Sequence, residues 1–237
     1  MPNSEIKWPD DFINKIICGD CLDIMKHIPD KAVDLVLTDP PYNIGFTYDE
    51  HKDNLTEETY VELLSNFQYP FRTVMIHYPE ETMQYLVPAL GIPEEVMVWC
   101  YNSNLPKQSR LINFFNCRPD KSKVLQPYKN PDDARVAELI ANGKQGTPIY
   151  DWFSDIQLVK NVFKGEKGHP CPMPLELMER IILMTTKEGD LVMDPFCGSG
   201  TTCLAAKKLG RGFIGIEKSH KYVEIAQRSL AQEYLFT

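Results

Sequence analysis

The sequence predicts an α/β fold with a mostly parallel sheet, because short apolar runs alternate with stretches of helical periodicity along most of its 237 residues. The pattern is clearest near the C-terminal end, where strands over 191–193 and 213–216 alternate with helices over 201–209 and 219–230. Two consecutive βα units imply parallel strands joined by right-handed crossovers. The length suits one α/β domain with a substantial core and is barely enough for two.

The first hundred residues continue this alternation. The apolar run over 33–38 predicts a buried strand. Thr56, followed by two glutamates, predicts the start of a helix with an N-cap and an acidic first turn. Further strands are predicted over 14–18, 74–76 and 96–100, and further helices over 22–28, over 80–90 and from Leu175 onward.

Residues 102–168 differ from the rest of the chain. They are more polar, richer in lysine and proline, and less periodic, with one clear helix over 132–141. We interpret them as an insertion that interrupts a single domain. The predicted organisation is therefore a first half over 1–101, an insertion over 102–168 and a second half of the same domain over 169–237.

The composition is that of an ordinary soluble globular protein, with 43% apolar residues, 24% charged residues and a net charge of -8. No stretch approaches the roughly 20 apolar residues of a membrane helix, and the start lacks the features of a signal peptide. The seven scattered cysteines favour a reduced, cytoplasmic protein. No second pair accompanies Cys18 and Cys21 at metal-ligand spacing, so we expect no metal.

Positive charge is concentrated in one segment of this acidic chain. Residues 101–130 contain six basic residues and one acidic residue. Such a segment on an acidic body predicts a defined docking face for a polyanion. The alternative is a solvated loop. The candidate phosphate contacts are Lys107, Arg110, Lys121 and Lys123.

A tetrapeptide follows the predicted strand over 33–38, at the sheet edge where α/β folds bind ligands: Asp39-Pro40-Pro41-Tyr42. It combines one carboxylate, two rigid carbonyls and an aromatic ring. A flat nitrogen heterocycle with an exocyclic amine fits this set, because the ring stacks on the base while the carboxylate and a carbonyl accept the two N–H bonds. The motif therefore predicts chemistry on a nucleobase.

A glycine-containing turn links the strand over 191–193 to the helix that begins at Thr201. Gly198 and Gly200 permit positive φ and let a ligand approach the backbone and the helix N-terminus. Glu217 ends the next strand, where an acidic side chain bridges the two hydroxyls of a ribose. The spacing departs from Gly-x-Gly-x-x-Gly and no Gly-Lys-Ser/Thr is present, which disfavours a dinucleotide and a phosphate loop. The alternative is a tight structural turn.

With both motifs, the chain resembles the amino-methylating DNA methyltransferases of the permuted group called beta, which use S-adenosylmethionine to methylate adenine N6 or cytosine N4. The target motif corresponds to 39–42 and the cofactor motif to 196–200, and the resemblance covers roughly 13–101 and 165–232. It implies a Rossmann-like methyltransferase fold. This is a doubly wound, mostly parallel, seven-stranded sheet with helices on both faces and a short target-recognition insertion.

The resemblance also implies the roles of individual residues. Those of the catalytic motif are Asp39, Pro40, Pro41 and Tyr42. The residues implied to bind the cofactor are Asp20, Cys21, His169, Pro170, Asp194, Phe196, Cys197, Gly198, Ser199, Gly200, Thr201 and Glu217. For Asp20 the alternative is a helix N-cap, and for His169 it is a capped turn before a helix. Met173 stands where the family pattern has a lysine.

The expected reaction is methylation of the N6 amine of an adenine flipped out of double-stranded DNA, with S-adenosylhomocysteine as the second product. Aspartate at the first position of the target motif resembles the adenine enzymes, whereas cytosine-N4 enzymes more often have serine. Cytosine N4 is therefore the first alternative. The others are an RNA or small-molecule methyltransferase and a catalytically inactive partner subunit. The short insertion favours a short recognition site, a homodimer or a helper protein.

Overall fold

The computed structural model describes residues 7–45, 47–48, 51–68, 71–103, 106–159 and 172–232. Its strands, in chain order, are β1 (Lys15–Cys18), β2 (Leu35–Thr38), β3 (Thr47–Tyr48), β4 (His51–Lys52), β5 (Thr73–His77), β6 (Glu95–Cys100), β7 (Ser109–Phe115), β8 (Leu125–Gln126), β9 (Thr147–Pro148), β10 (Trp152–Phe153), β11 (Leu191–Asp194) and β12 (Gly212–Glu217). The α-helices are α1 (Cys21–Met25), α2 (Glu57–Ser65), α3 (Pro79–Glu81), α4 (Val87–Leu90), α5 (Ala134–Ala141), α6 (Leu175–Thr185), α7 (Thr201–Lys208) and α8 (His220–Gln232).

The main sheet in these residues has the strand order β1-β12-β11-β2-β5-β7-β6-β10. The first five strands of this order run parallel to one another. β7 is antiparallel to both of its neighbours, and β10 is parallel to β6. From the adjacent strands β2 and β11, the chain crosses to β5 on one side and to β12 on the other. This is the switch point at which open α/β sheets bind ligands.

Helices cover both faces of the sheet, because side chains along its strands alternate between two cores. On β2, Leu35 and Leu37 belong to the core that contains residues of α6 and α7, whereas Val36 belongs to the core that contains residues of α2 and α4. On β5, Ile76 and Met75 divide in the same way. All five side chains are fully buried. The predicted doubly wound α/β fold is thereby confirmed.

The sheet differs from the expected seven strands at one edge, where the two-residue β10 adds an eighth strand beside β6. A second difference is β7, a strand that was not predicted and lies inside 102–168. Its residues Ile112 and Phe114 are fully buried. A count of charges over 101–130 conceals the largely apolar run at 111–115, which the sheet uses as its antiparallel strand. The segment outside the sheet is therefore shorter than the predicted insertion and spans 116–151.

This shorter segment, 116–151, leaves the sheet at its amino edge, the edge at which the parallel strands begin. β7 ends at Phe115, which pairs with Thr73 at the start of β5. The N–H of Asp120 then donates to the carbonyl of Met184, near the end of α6 and just before β11. The tetrapeptide and the glycine-containing turn lie at the opposite edge, where β2 and β11 end.

Most predicted helices have the expected bounds within a few residues. Thr56 is the N-cap of α2, and its hydroxyl accepts a hydrogen bond from the Thr59 N–H at 3.3 Å. The helix predicted over 80–90 is instead composed of α3, a π-helical turn over Thr82–Leu86, and α4. None of the helices within the described ranges has the length and apolarity needed to cross a bilayer.

Candidate active site

The two predicted motifs meet at the carboxyl edge of the sheet. β2 leads into Asp39, and the neighbouring β11 ends at Asp194. The hydroxyl of Thr38 donates a 2.7 Å hydrogen bond to Asp194, which joins the ends of the two strands. The structure therefore brings together residues that are far apart in the sequence.

Two cavities open at this edge and share Asp39 and Phe196 in their walls. The larger has a volume of about 710 Å³, within the usual range for small-molecule sites. The smaller, of about 40 Å³, lies between Asp39 and the glycine loop, defined here as residues 195–200. Other predicted residues that line the larger cavity are Asp20, Cys21, Pro40, Pro41, Tyr42 and Glu217. Those that line the smaller one are Asp194, Cys197, Gly198, Ser199 and Thr201.

The glycine loop packs closely against α8 and is tied to the end of β12. Gly200 has a φ of 82°, and a Cβ added there would lie 2.8 Å from the Cβ of Ala226. The N–H of Gly198 donates to Oε2 of Glu217 at 3.0 Å, and the N–H of Ser219 donates to Oε1 at 2.8 Å. The carboxylate predicted to hold a ribose is thus oriented by two main-chain donors.

Two residues of this region turn their side chains toward the protein interior. Asp194 is buried and also accepts a 3.1 Å hydrogen bond from the N–H of Phe196. Burial raises the pKa of Asp194 to about 6. The sulfur of Cys197 packs against Gly215, where an added Cβ would lie 3.0 Å away. These two side chains shape the loop from within.

Asp20 is the N-cap of α1 and also lines the larger cavity. One carboxylate oxygen accepts from the N–H of Leu22 at 2.9 Å, and the other lies 2.8 Å from Nζ of Lys218. Burial opposes ionisation, but Lys218 and the Leu22 amide outweigh it and lower the pKa of Asp20. The neighbouring Cys21 is buried, which raises its pKa to about 12. The N-cap alternative is confirmed, and the contact of Asp20 with a cofactor stays a prediction.

The carboxylate of Asp39 has a partner on each oxygen. Oδ1 accepts a hydrogen bond from the hydroxyl of Tyr42, and Oδ2 lies 3.3 Å from Nη1 of Arg110. Burial raises the pKa of Asp39, whereas Arg110 and Tyr42 act in the opposite direction. Both partners favour the ionised carboxylate, which is the form that accepts hydrogen bonds from an amine.

Tyr42 packs among other aromatic side chains. Its ring stacks on that of His77, with a centroid distance of 4.2 Å and an interplanar angle of 25°, and meets Tyr78 edge-on at 5.1 Å. His77 is the last residue of β5 and is fully buried. Burial, with the cations of Arg110 and Lys107 nearby, lowers the pKa of His77 to about 3, so its ring is neutral at physiological pH.

The neutral ring of His77 belongs to a chain of hydrogen bonds that ends at the target motif. Its Nδ1 accepts from the N–H of Tyr78 at 3.1 Å, so we place the ring proton on Nε2. Nε2 then donates to the hydroxyl of Tyr60 at 3.2 Å, and that hydroxyl donates to the carbonyl of Pro41. Neither His77 nor Tyr60 was among the site residues predicted from the sequence. The position of His77 just after the predicted strand 74–76, at the ligand-binding edge, was the available signal.

Arg110 was predicted to contact a phosphate, but its side chain is buried beside Asp39, which argues against that contact. Lys107 does lie at the carboxyl edge, close to the start of β7. Its Nζ is 2.7 Å from the carboxylate of Glu81 and 4.5 Å from the centroid of the Tyr78 ring. Among the three lysines of the predicted contacts, Lys107 is the one placed next to the target motif.

The other two predicted phosphate contacts lie at the amino edge of the sheet. Lys121 forms an ion pair with Glu95, the first residue of β6. Nζ of Lys123 lies 3.4 Å from the carbonyl of Thr186, the residue that follows α6. The length of the sheet, about 3.3 Å for each residue of a strand, separates them from Asp39. This placement argues against a phosphate contact beside the target base.

The remaining predicted residues are His169 and Pro170, which lie outside the described residues, so their contacts stay predictions. The described chain resumes at Pro172, which lines the smaller cavity together with Met173. Pro172 and Met173 therefore lie beside the glycine loop, where the resemblance places the segment that precedes that loop.

Known proteins match this chain over most of its length. Residues 73–228 match the model of the N6/N4 methyltransferase family, described as DNA methylase. The type II methyltransferase M1.MboII of Moraxella bovis is 30% identical over 262 aligned positions, which cover 93% of this chain and 97% of the relative. The type II methyltransferase M.BglII of Bacillus subtilis is 30% identical over 256 aligned positions, which cover 95% of this chain and 71% of the relative.

Solved structures share the fold. The cytosine-N4-specific PvuII DNA methyltransferase superposes with a TM-score of 0.66 at 19% identity, covering 93% of this chain and 90% of its own. M1.HpyAVI in complex with S-adenosylmethionine superposes with a TM-score of 0.62 at 22% identity, covering 91% of this chain and 98% of its own. At these identities the likeness concerns the fold, and it confirms the Rossmann-like methyltransferase architecture. Because the family model and two curated relatives also match, the chain belongs to the N6/N4 DNA methylases, which use S-adenosylmethionine to methylate DNA.

Proposed function

We propose that this protein methylates the N6 amine of an adenine that is flipped out of double-stranded DNA. The observation that carries the proposal is the position of the Asp39 side chain, which lines both cavities at the switch point of the sheet. The larger cavity is lined by Tyr42 of the target motif and by Asp20 and Glu217, and the smaller one lies beside the glycine loop. A carboxylate at position 39 therefore reaches a base held at Tyr42 and lies next to the methyl donor. The type II methyltransferases among the relatives support action at a specific DNA site.

The residues around the cavities fit S-adenosylmethionine, which supplies an activated methyl group on a sulfonium when bound. The glycine loop lines the smaller cavity with Cys197, Gly198 and Ser199, and its glycines let a ligand approach the main chain. Glu217 would accept the ribose hydroxyls, and Asp20 would accept the adenine amine of the cofactor. Phe196 offers an aromatic surface in both cavities.

The target motif would orient the amine of the base for reaction. The lone pair of an exocyclic amine is delocalised into the ring, which makes the nitrogen a poor nucleophile. In our proposal, Asp39 and the carbonyl of Pro40 each accept one N–H and turn the lone pair out of the ring plane. The Pro41 carbonyl is already engaged by Tyr60, which leaves Pro40 for the amine. Asp39 or water accepts the proton that the nitrogen loses afterward.

Stacking on Tyr42 would hold the flipped base. Extruding a base costs a few kcal/mol, and stacking on one aromatic ring returns about 1–3 kcal/mol. The stack of Tyr42 on His77 fixes the plane of the ring before a base arrives. We also propose that Lys107 contacts a DNA phosphate beside the flipped base, because it is the predicted lysine at this edge and is more exposed than Arg110.

Recognition of the DNA sequence would use segments at the carboxyl edge. Among the described residues of the predicted insertion, these are 102–103 and 106–108, before β7, and 154–159, after β10. Asn102 and Gln157 join the two segments, with the Asn102 N–H donating to the Gln157 side chain at 2.9 Å. The part over 116–151 leaves the sheet at the other edge, so we propose that it does not read the bases next to the target.

Adenine N6 and cytosine N4 give different products, which makes the proposal directly testable. Purified protein is incubated with unmethylated genomic DNA and S-adenosylmethionine that carries a tritiated methyl group. The DNA is then digested to nucleosides and analysed by mass spectrometry. We expect N6-methyldeoxyadenosine, and long-read mapping will give the site. N4-methyldeoxycytidine would establish the cytosine alternative instead.

Two controls address the remaining alternatives. Total RNA and free nucleosides replace DNA in parallel reactions, and greater incorporation there would overturn the choice of DNA. Protein that binds S-adenosylmethionine but methylates no substrate would support an inactive partner subunit. The Asp39→Asn variant, assayed beside the parent protein, shows that the incorporated methyl comes from this active site.

A further inference from the structure

A buried arginine contacts the catalytic carboxylate from a strand outside both sequence motifs. Nη1 of Arg110, on β7, lies 3.3 Å from Oδ2 of Asp39 and 3.2 Å from the sulfur of Met173. Met173 stands where the family pattern has a lysine. We propose that Arg110 supplies from β7 the positive charge missing at position 173, and acts as the positioning residue that orients Asp39 and keeps it ionised. The proposal rests on the methyl transfer proposed above.

The surroundings of Arg110 favour such a role over packing alone. Its side chain is 9% exposed, and the guanidinium carbon lies 5.3 Å from the ring centroids of Tyr42 and Tyr78 and 5.6 Å from that of Trp99. Its buried Nε has no hydrogen-bond partner among the described residues. Burying an arginine is costly, and an apolar side chain would fill the same space at lower cost. The pairing with Asp39 and the aromatic rings offset part of that cost.

Two donors fix the plane of the Asp39 carboxylate. Arg110 holds Oδ2, while the hydroxyl of Tyr42 donates to Oδ1. A carboxylate oxygen has a second lone pair, so an amine of the base still finds an acceptor on Asp39. Without Arg110 the side chain has one fixed partner, and that partner sits on Tyr42, the residue proposed to stack on the incoming base. Loss of orientation at this point lowers the rate of transfer.

The charge of Arg110 matters because it opposes the effect of burial on Asp39 more strongly than the hydrogen bond from Tyr42 does. Burial raises the pKa of Asp39, and Arg110 is the largest influence in the opposite direction. The groups that face the carboxylate are Arg110 on β7, Tyr42 on the loop after β2 and Asp194 at the end of β11. Asp194 is an acid, and the phenol of Tyr42 is neutral. Removing the cation therefore raises the pKa of Asp39, and protonation of the carboxylate removes one acceptor oxygen.

The test moves the positive charge back to position 173. Four proteins are compared: the parent, Arg110→Met, Met173→Lys, and the double variant. We expect Arg110→Met to lower kcat about 100-fold at neutral pH, with part of the activity returning at higher pH. The double variant regains most of the lost activity and the pH profile of the parent, because a lysine at 173 reaches the space that the guanidinium leaves. Met173→Lys alone shows whether the added lysine disturbs the site.

A second readout does not depend on DNA methylation. Protein labelled with ¹³C at the aspartate carboxyl carbon is titrated, and the signal of Asp39 is identified by its loss in Asp39→Asn. Arg110→Met shifts the titration of Asp39 to higher pH, and the double variant shifts it back. If the parent methylates no DNA, the proposed function fails while this titration still tests Arg110. An unchanged titration together with no rescue by the double variant would overturn the proposal.

Discussion

The cofactor side and the target side of this active site are built in different ways. On the cofactor side, the glycine loop, α7 and Glu217 follow one another within one βαβ unit, and main-chain N–H groups tie them together. On the target side, Asp39 follows β2, His77 ends β5 and Arg110 lies on β7. Three separate elements therefore contribute one side chain each to the surroundings of Tyr42.

Because of this difference, we expect the two sides to tolerate different substitutions. A site made of main-chain groups depends on the absence of side chains, so the addition of one Cβ damages it. A site made of side chains depends on single functional groups, so the removal of one hydroxyl or carboxylate damages it while the fold remains. We expect variants on the cofactor side to change cofactor affinity, and variants on the target side to change the rate of methyl transfer.

Removing the carboxylate of Asp39 has the largest expected effect. Asp39→Ala lowers methyl incorporation by about 10³-fold or more, because the amine loses its charged acceptor and its orientation. Affinity for S-adenosylmethionine, measured by calorimetric titration, stays close to that of the parent protein. An equal loss of both would mean that Asp39 builds the cofactor cavity, and the contrast between the two sides would fail.

The control for this variant is Asp39→Asn. Asp39→Ala leaves the cation of Arg110 buried without a carboxylate partner, which costs about 3–5 kcal/mol of stability for an ion pair of this kind. The amide keeps the volume and one acceptor oxygen, so the protein folds more readily. A strong loss of activity in Asp39→Asn with an unchanged far-UV circular dichroism spectrum separates the chemical role from the structural one.

The next largest effect is expected when one carbon atom is added to the glycine loop. In Gly200→Ala, the new Cβ lies 2.8 Å from the Cβ of Ala226, and the residue has a φ of 82°. We expect affinity for S-adenosylmethionine to fall about 10- to 100-fold, because strain of this kind costs about 1–3 kcal/mol. Gly189→Ala is the matched control, since its φ of 85° is similar and no atom lies within 4 Å of the added Cβ. Equal affinity loss in both variants would contradict the close approach to α8 as the cause.

The same difference explains which parts of the site the sequence predicted. The glycine loop and Glu217 belong to consecutive elements, so their spacing is visible in the chain. The tetrapeptide was visible because its chemistry is concentrated in four adjacent residues. His77, Tyr60 and Arg110 are single residues on three elements, and Arg110 comes next to Asp39 only when β7 pairs with β5. No local pattern encodes that antiparallel pairing, which also hid the strand over Ser109–Phe115.

Breaking the hydrogen-bond chain from His77 to the target motif is expected to have a smaller effect. Tyr60→Phe removes the hydroxyl that accepts from His77 and donates to Pro41. We expect kcat to fall about tenfold, because the Pro41 carbonyl loses its fixed donor and the tetrapeptide becomes less ordered. Cofactor affinity should not change. Tyr85→Phe is the control, because the Tyr85 ring packs edge-on against Tyr60 at 5.0 Å and the substitution changes a neighbouring hydroxyl only.

The pattern of charge along the chain was less informative than the pattern of its strands. Six basic residues within 101–130 suggested one docking face. Three of the four candidate contacts instead occupy different places: Arg110 in the interior, and Lys121 and Lys123 at the amino edge. A local count of charges cannot reveal this, because β7 carries the chain from one edge of the sheet to the other between Lys107 and Lys121.

The smallest expected effect comes from replacing these lysines. Their variants show which edge of the sheet contacts DNA. Lys107→Ala should reduce the slope of log affinity for DNA against log salt concentration by about one, because one phosphate contact is lost. The double change of Lys121 and Lys123 to alanine removes more charge from the same stretch of sequence and should leave the slope unchanged. Both variants are measured by fluorescence anisotropy with a duplex that contains the mapped site. A larger change in the double variant would mean that DNA also contacts the amino edge, far from Asp39, and that the segment 116–151 takes part in binding.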